Sequence, residues 1–175
     1  MPFDLTKLVD FAQQANEEVG RFRLNIMLSP QNLRAKNYCV PALAWRSVKY
    51  GEAEASQVPN NRRGVYAFVL CENNSVLPPH GYVLYIGIAG RKSKRSLRQR
   101  YKDYLNEKKV IKRERIAFMI GTWHSVLRFF YVTVDDAMSS DDLETLEKQL
   151  NTALMPPYAE GDLEAKTKRL RRAFR

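Results

Sequence analysis

The sequence predicts an α+β fold in which a small, mostly antiparallel three-stranded sheet is flanked by helices, with a helical extension at the N-terminus. Three observations lead to this prediction. Two apolar runs of strand length, 65–71 and 82–86, follow one another across a turn-rich segment. Helical spacing of apolar residues then returns, and a third strand-like segment over 127–134 interrupts it. A long helix comes last, so the predicted order of the main elements is β-β-α-α-β-α.

The N-terminal part of the chain is predicted to be an extension. Residues 4–19 keep apolar side chains at helical spacing, and Asp4 is a suitable N-cap. The pattern is less regular beyond them, although 45–50 could form a short strand. The polar, turn-prone stretch 57–63 makes a boundary before the main domain. We therefore divide the chain into an extension over 1–60, a main domain over 61–160 and a basic tail over 161–175.

The main domain opens with a predicted hairpin. Residues 65–71 are apolar at every position, as expected of a strand that is covered on both faces. The loop 72–81 contains two asparagines and two prolines, and it leads into the second strand. A glycine- and lysine-rich loop over 87–94 follows.

The remaining elements are a pair of helices, a strand and a final helix. The first helix is predicted over 96–106, with Ser96 as its N-cap, and the second over about 110–120. The third strand covers 127–134. The last helix begins at the run 140–142, whose two acids suit a helix N-terminus, and the proline pair 156–157 ends it.

Composition restricts the class of protein. A hydrophobic fraction of 45% is too high for a mainly disordered chain, and 175 residues can bury a core. No apolar run approaches the roughly eighteen residues of a membrane span, and the N-terminus lacks the features of a signal peptide. We therefore expect a soluble cytoplasmic protein without a membrane partner. The two cysteines, Cys39 and Cys71, form no C-x-x-C pair, which disfavours zinc fingers and disulfide scaffolds.

The charge predicts a polyanionic partner. The formal net charge is +10, from 29 basic against 19 acidic residues. A merely soluble basic protein would have the same total, but here the basic residues cluster within 91–100, 108–115 and 166–175. Clusters of this kind favour a binding surface for DNA, with RNA as an alternative. The residues that we expect to bind the nucleic acid are Arg91, Lys92, Lys94, Arg95, Arg98 and Lys102.

Two charged residues fall on apolar helix faces. Glu147 lies four residues after Leu143 and three before Leu150, inside the leucine stripe of the last helix. Arg100 lies three residues after Leu97 and four before Tyr104, so it also faces inward. A charge on a core-facing position needs a partner or a bound ion. The two residues could simply pair with each other, or they could belong to a site.

Two tripeptides supply further candidates for such a site. Gly64-Val65-Tyr66 opens the first predicted strand, and Tyr85-Ile86-Gly87 closes the second. Each places a tyrosine near a glycine, so the two hydroxyls could face a common site on the hairpin. Strands commonly contain tyrosine, so the tripeptides alone are weak indications.

The four elements together resemble the GIY-YIG nuclease family, as in the nuclease domain of the bacterial excision-repair incision subunit. The resemblance covers about 64–158 and comprises the two tripeptides, the helix that carries Arg100, and the helix that carries Glu147 before Pro156-Pro157-Tyr158. The chain departs from the family in the longer gap between the tripeptides. It also has Ile88 where many members have lysine, and Ala159 in place of the usual asparagine.

The resemblance implies a fold, an activity and a set of roles. It implies a GIY-YIG-like sheet and a hydrolase that cuts DNA with one Mg²⁺ or Mn²⁺ ion. Glu147 would hold that ion, and Arg100 would hold the scissile phosphate. Tyr66 or Tyr85 would activate the water, with Tyr66 as the favoured base and Tyr85 orienting. Because a free tyrosine has a pKa near 10, a neighbouring cation would have to lower it.

Other functions remain open from the sequence. One is a non-catalytic nucleic-acid-binding module on the same fold, and another is a ribonuclease or toxin-like nuclease. A third is a docking protein whose basic surface meets a partner in a defence or repair complex. Residues 1–60 are the candidate interface for a protein partner or for a second copy of the chain.

Overall fold

The computed structural model describes residues 10, 13–14, 17, 20, 22–35, 37–40, 42–72, 76–78, 80–91 and 95–159. These residues form an α+β fold, which confirms the predicted class. The strands are β1 (Arg46–Lys49), β2 (Gly64–Leu70), β3 (Tyr82–Ala89) and β4 (Leu127–Thr133). The helices are α1 (Pro30–Leu33), α2 (Leu97–Leu105), α3 (Glu107–Val110), α4 (Glu114–Trp123) and α5 (Ser140–Leu154), with 3₁₀ turns at Glu52–Gln57 and His124–Val126.

The sheet has four antiparallel strands in the order β1-β4-β2-β3, so the predicted three-stranded sheet is wrong. The additional strand, β1, comes from the segment that we predicted to be an extension. Of its four residues only Val48 is buried, while Arg46 and Lys49 are exposed. An edge strand that buries one side chain leaves almost no hydrophobic pattern in the sequence.

Apolar side chains on both faces of the sheet build the core. Tyr66, Phe68 and Phe129 pack on one face with Tyr101 and Tyr104 from α2. On the other face, Val65, Ala67 and Ile86 pack against Leu143 and Leu146 of α5. Strand β2 alternates between the two clusters, which explains why it is apolar at every position.

Side-chain caps fix the starts of α2 and α5, which pack on opposite faces of the sheet. The hydroxyl of Ser96 accepts a hydrogen bond from the Gln99 amide at 3.2 Å, and the Gln99 side chain accepts one from the Ser96 amide at 3.0 Å. Ser139 caps α5 by accepting from the Asp142 amide at 3.0 Å. Met155, with a φ of 41°, ends α5 before the proline pair. The starts of α2 and α5 therefore lie within one residue of the predicted ones.

One predicted helix differs from the structure, and two predicted segments lie partly or wholly outside the described residues. The single helix predicted over 110–120 is two helices, α3 and α4, separated at 111–113. Of the helix predicted over 4–19, only residues 10, 13–14 and 17 are described, and these are helical. The predicted tail over 161–175 lies outside the described residues. Within the described part of the chain, no helix has the length and apolar character to cross a membrane.

Candidate active site

Tyr66 is the centre of a cluster of phenols on one face of the sheet. It lies in β2, its side chain is fully buried, and its ring stacks on Phe129 at 5.4 Å between centroids. The rings of Tyr85 and Tyr104 lie 6.3 and 5.7 Å away. The two tyrosines of the tripeptides thus lie on the same face, with a third tyrosine from α2 beside them.

Gly87 makes room for Tyr66. The two residues are register partners across β2 and β3. A Cβ atom on Gly87 would lie 2.5 Å from the Tyr66 hydroxyl oxygen and 2.7 Å from Cζ. Because both atoms belong to a side chain that is fully enclosed, the tyrosine of the first tripeptide requires the glycine of the second.

Gly64 serves a different purpose. A Cβ atom there would lie 2.0 Å from the backbone oxygen of Val132 in β4 and 3.1 Å from Leu97 in α2. Gly64 therefore allows β2 to pair closely with β4 beneath the start of α2. Gly64 thus lets the hairpin pack against β4 and α2, and Gly87 leaves room for the Tyr66 side chain.

Arg100 and Tyr104, both in α2, bind the Tyr66 hydroxyl. The Arg100 Nε donates to it at 3.2 Å, and the hydroxyls of Tyr66 and Tyr104 lie 2.8 Å apart. The spacing of four residues puts Arg100 and Tyr104 one turn apart on the same helix face. Sequence reasoning placed Arg100 on this face but counted Tyr104 only as an apolar residue. The signal for Tyr104 was present, since it follows the inward arginine by one turn.

Burial and the charge of Arg100 have opposite effects on the pKa of Tyr66. Burial raises the pKa of its hydroxyl well above the ordinary value, and the neighbouring phenols of Tyr104 and Tyr85 raise it further, while Arg100 lowers it. The net direction is upward, so Arg100 alone does not produce the lowered pKa that a tyrosinate base at neutral pH needs. In return, the Tyr66 hydroxyl raises the pKa of Arg100, which stays cationic.

Arg113 is a second cation on the phenols that sequence reasoning missed. Its guanidinium carbon lies 5.0 Å from the ring centroid of Tyr104 and 5.9 Å from that of Tyr85. One of its terminal nitrogens also lies 3.5 Å from the Tyr85 hydroxyl. Arg113 lies in the break between α3 and α4, so no helical periodicity pointed to it. In the sequence, Arg113 is only one member of the basic cluster 108–115.

Asp103 connects three cations near Arg100. Its carboxylate accepts from Arg95 at 2.5 Å and from Lys109 at 2.6 Å, and it lies 3.9 Å from Arg100. The Arg100 side chain is 33% exposed, so its guanidinium reaches the surface beside the buried phenols. The contact with Asp103 is long, which leaves the terminal nitrogens of Arg100 able to bind an anion from solvent.

Glu147 is buried in α5, at 7% exposure, and the neighbouring leucines of that helix, Leu143 and Leu146, pack on the sheet face opposite the phenol cluster. Among the described residues, no three or more His, Cys, Asp or Glu side chains gather as a metal cluster. A single carboxylate suits Mg²⁺ or Mn²⁺, because such ions keep several waters and take other ligands from substrate phosphates. A hydrated ion held by Glu147 would therefore take its other ligands from water and phosphate.

The residues predicted to bind nucleic acid have different surroundings. Arg91 pairs with Glu144 of α5, and Arg95 pairs with Asp103. Arg98 donates to the backbone oxygens of Val58 and Ser56 at 2.6 and 2.7 Å, so it ties α2 to the preceding 3₁₀ turn. Lys102 is exposed and lines an open groove of about 560 Å³ beside Arg98. Lys92 and Lys94 lie outside the described residues.

The turn after α5 returns the chain to the phenol cluster. The Tyr158 amide donates to the Leu84 oxygen of β3 at 3.0 Å. Ala159, at the position where the family usually has asparagine, is 1% exposed and belongs to the core cluster that contains Tyr66 and Tyr104. A methyl group in the core therefore occupies this position.

No family model, no curated protein and no solved structure matches this chain. The likeness to the GIY-YIG nucleases rests on the residues quoted for it.

Proposed function

We propose that this protein is a metal-dependent endonuclease that hydrolyses phosphodiester bonds in DNA. The observation that carries the proposal is the hydrogen bond from Arg100 Nε to the buried Tyr66 hydroxyl, at 3.2 Å. It joins a cation that can hold a phosphate to a group that can exchange a proton. Phosphodiester hydrolysis needs both functions close together.

Arg100 binds the scissile phosphate. Its Nε is engaged by Tyr66, which orients the guanidinium, while the terminal nitrogens face a partly exposed surface. A planar guanidinium can donate two parallel hydrogen bonds to phosphate oxygens. The same contacts strengthen as negative charge develops on those oxygens, so Arg100 lowers the barrier as well as binding the substrate.

Tyr66 takes the proton from the attacking water in its ionised form, with Tyr85 orienting. Its raised pKa leaves only a small ionised fraction at neutral pH, so the rate of cleavage should rise as the solution becomes more alkaline. Tyr104 holds the Tyr66 hydroxyl in place at 2.8 Å. Arg113 lies over the rings of Tyr85 and Tyr104, where its charge favours an ionised phenol.

Glu147 would hold a hydrated Mg²⁺ or Mn²⁺, which when bound supplies positive charge at the phosphate and its leaving oxygen. The long-range attraction for DNA comes from the net charge of +10. Binding should therefore weaken steeply with salt.

A second candidate function is a non-catalytic nucleic-acid-binding module. The complete burial of Tyr66 and the upward direction of its pKa favour it, because a protonated, enclosed phenol is a poor base. Such a module would bind DNA or RNA without turnover. The Arg100–Tyr66 pair would then only position a phosphate.

The test is incubation of the purified protein with plasmid DNA, RNA and single strands, in Mg²⁺, Mn²⁺ or EDTA. We expect nicking of DNA with metal and none in EDTA. The variants Glu147→Gln, Arg100→Ala and Tyr66→Phe should lose it, whereas Glu72→Gln, which changes an exposed carboxylate, should cut like the wild type. Binding without cutting under every condition would favour the second candidate, and full activity of Glu147→Gln would contradict the assigned site.

A further inference from the structure

A polar cleft lies between the residues that precede β2, the end of the loop after β3 and the start of α2. Apart from Arg95, its walls have no role in the site described above. The cleft has a volume of about 230 Å³, and its walls include Arg62, Arg63, Arg95, Gln99, Gly90 and Asp136. We call it the arginine cleft. Its volume is several times the roughly 30 Å³ that one water molecule takes up in the liquid, so the cleft has room for a phosphate group with part of its hydration.

Three arginines and one aspartate line the arginine cleft, and Asp103, which pairs with Arg95, also pairs with Lys109, so the local charge is positive. The Arg62 and Arg95 side chains are 41% and 49% exposed, so both guanidiniums are accessible from solvent. Arg62 pairs with Asp136 at 3.2 Å, and the Asp136 side chain is 70% exposed. An ion pair this open is weak and can exchange its carboxylate for a phosphate at small cost.

The walls of the arginine cleft are held by backbone contacts. The Leu97 amide donates to the Arg62 oxygen at 2.9 Å, and the Val134 amide donates to the Arg63 oxygen at 3.2 Å. The Arg63 guanidinium binds the backbone oxygens of Met138 and Ser139 at 3.0 and 3.4 Å. The cleft is therefore formed before any ligand enters, which reduces the entropy lost on binding.

Gly90 fixes the position of Arg63. Its φ is +85°, a conformation that favours glycine, and a Cβ atom there would lie 2.6 Å from the Cβ of Arg63. The loop that follows β3 therefore packs against Arg63 so closely that only glycine fits at position 90. The capping box gives the backbone amides of Ser96 and Gln99 their hydrogen-bond partners. Recognition of an anion in the cleft therefore depends on the arginine side chains.

The arginine cleft is close to the proposed catalytic residues. Gln99 precedes Arg100 in α2, and Arg63 lies three residues before Tyr66 along an extended segment. At about 3.3 Å per strand residue that separation is about 10 Å. A nucleic acid strand rises about 3.4 Å per nucleotide, so the cleft lies within about three nucleotides of a phosphate bound to Arg100.

We propose that the arginine cleft binds a backbone phosphate of the nucleic acid strand, a few nucleotides from the phosphate that Arg100 holds. This inference rests on the proposed function in one respect only, namely that the substrate is a nucleic acid. A second phosphate anchor fixes the register of the strand without reading its bases. Asp136 weakens the anchor and sets how readily the strand leaves.

The test is a pair of variants with opposite expected effects. Arg62→Gln and Asp136→Asn break the same ion pair, so a loss of stability would move both in one direction. Charge recognition instead predicts that Arg62→Gln weakens binding of a fluorescent DNA oligonucleotide about threefold to tenfold, while Asp136→Asn strengthens it. Arg62→Gln should also reduce the slope of log Kd against log salt by about one.

Arg34→Gln and Glu72→Gln are the matched controls, since both residues are exposed and lie outside the arginine cleft. Binding is measured by fluorescence anisotropy in EDTA, so cleavage plays no part. The proposal is overturned if the cleft variants shift Kd in the same direction, if the controls shift it equally, or if the protein does not bind the oligonucleotide. Opposite shifts without any nicking in metal would leave the cleft assigned and reject the nuclease. Nicking with unchanged cleft variants would reject the cleft alone.

Discussion

The Tyr66 hydroxyl occupies the space that a side chain on Gly87 would need, since a Cβ there would lie 2.5 Å from the hydroxyl oxygen. The two tripeptides are therefore parts of one arrangement. The glycine of one strand accommodates the tyrosine of the other, and the tyrosine then meets Arg100 from α2. This relation explains in steric terms why a glycine stands opposite Tyr66.

Gly87→Ala should displace the Tyr66 ring and lower the free energy of unfolding by about 1–3 kcal/mol, because the added methyl overpacks an enclosed site. Cleavage should fall with it, since Arg100 loses its partner. Urea unfolding and the plasmid assay measure the two effects. Gly81→Ala, whose Cβ would lie 3.5 Å from Val69, is the control and should be near neutral in both. A Gly87→Ala protein with wild-type stability would contradict the steric argument.

The hydrogen bond between Tyr66 and Tyr104 can be measured by a double-mutant cycle. Tyr66→Phe and Tyr104→Phe each leave a buried hydroxyl short of a partner, so we expect a coupling free energy of about 1 kcal/mol from denaturant unfolding. Tyr101 packs on the same Phe129 ring but bonds to the backbone of Lys49 and Gly51. A cycle of Tyr66→Phe with Tyr101→Phe should therefore show much weaker coupling. Equal coupling in the two cycles would refute the specific contact.

Stability should decrease in alkaline solution. The folded protein keeps the Tyr66 proton, which the unfolded chain releases above about pH 10, so the free energy of unfolding falls as the pH rises past that value. Burial also raises the pKa of Tyr50, to about 12, so Tyr50 likewise lowers the free energy of unfolding in alkaline solution. Tyr66→Phe should reduce the decline by up to about 1.4 kcal/mol per pH unit. Unfolding titrations at pH 8 to 11 measure it, with the exposed Tyr82→Phe as control; identical slopes for all proteins would contradict the assignment.

The sequence predicted the parts of the fold and site that depend on periodicity. The all-apolar β2, the Ser96 cap of α2, the start of α5 and the inward position of Arg100 follow from spacing and cap chemistry. The N-cap of α5 is Ser139, one residue before the run 140–142 from which that start was predicted. Strand β1 was missed as part of the sheet because its stability comes from pairing with β4, not from its own pattern. Arg113 was missed because it lies in a helix break, where spacing has no meaning. Only the folded chain places it over two phenols.

The basic residues show a related limit, since charge clusters do not reveal which cations have structural partners. Arg98→Ala should lower the free energy of unfolding by about 1–2 kcal/mol, because its charge-assisted bonds to Val58 and Ser56 are lost. Lys102→Ala should change it by less than about 0.5 kcal/mol, as expected of an exposed side chain. Thermal or urea unfolding distinguishes the two. If Arg98→Ala weakens only DNA binding and leaves stability intact, its structural assignment is wrong.

Arg113 provides the test of whether the second cation on the phenols contributes to cleavage. Arg113→Gln removes a charge 5.0 Å from the Tyr104 ring and 5.9 Å from the Tyr85 ring, so ionisation of the phenol cluster becomes less favourable. We expect a lower cleavage rate at fixed pH and a rate that needs more alkaline solution to reach the wild-type value. Lys112→Gln removes a neighbouring exposed charge and should leave the pH profile unchanged while weakening binding at most slightly. The pH–rate profile is the deciding measurement. A loss of general attraction for DNA would lower the rate by the same factor at every pH, whereas an effect on the phenols moves the profile to higher pH.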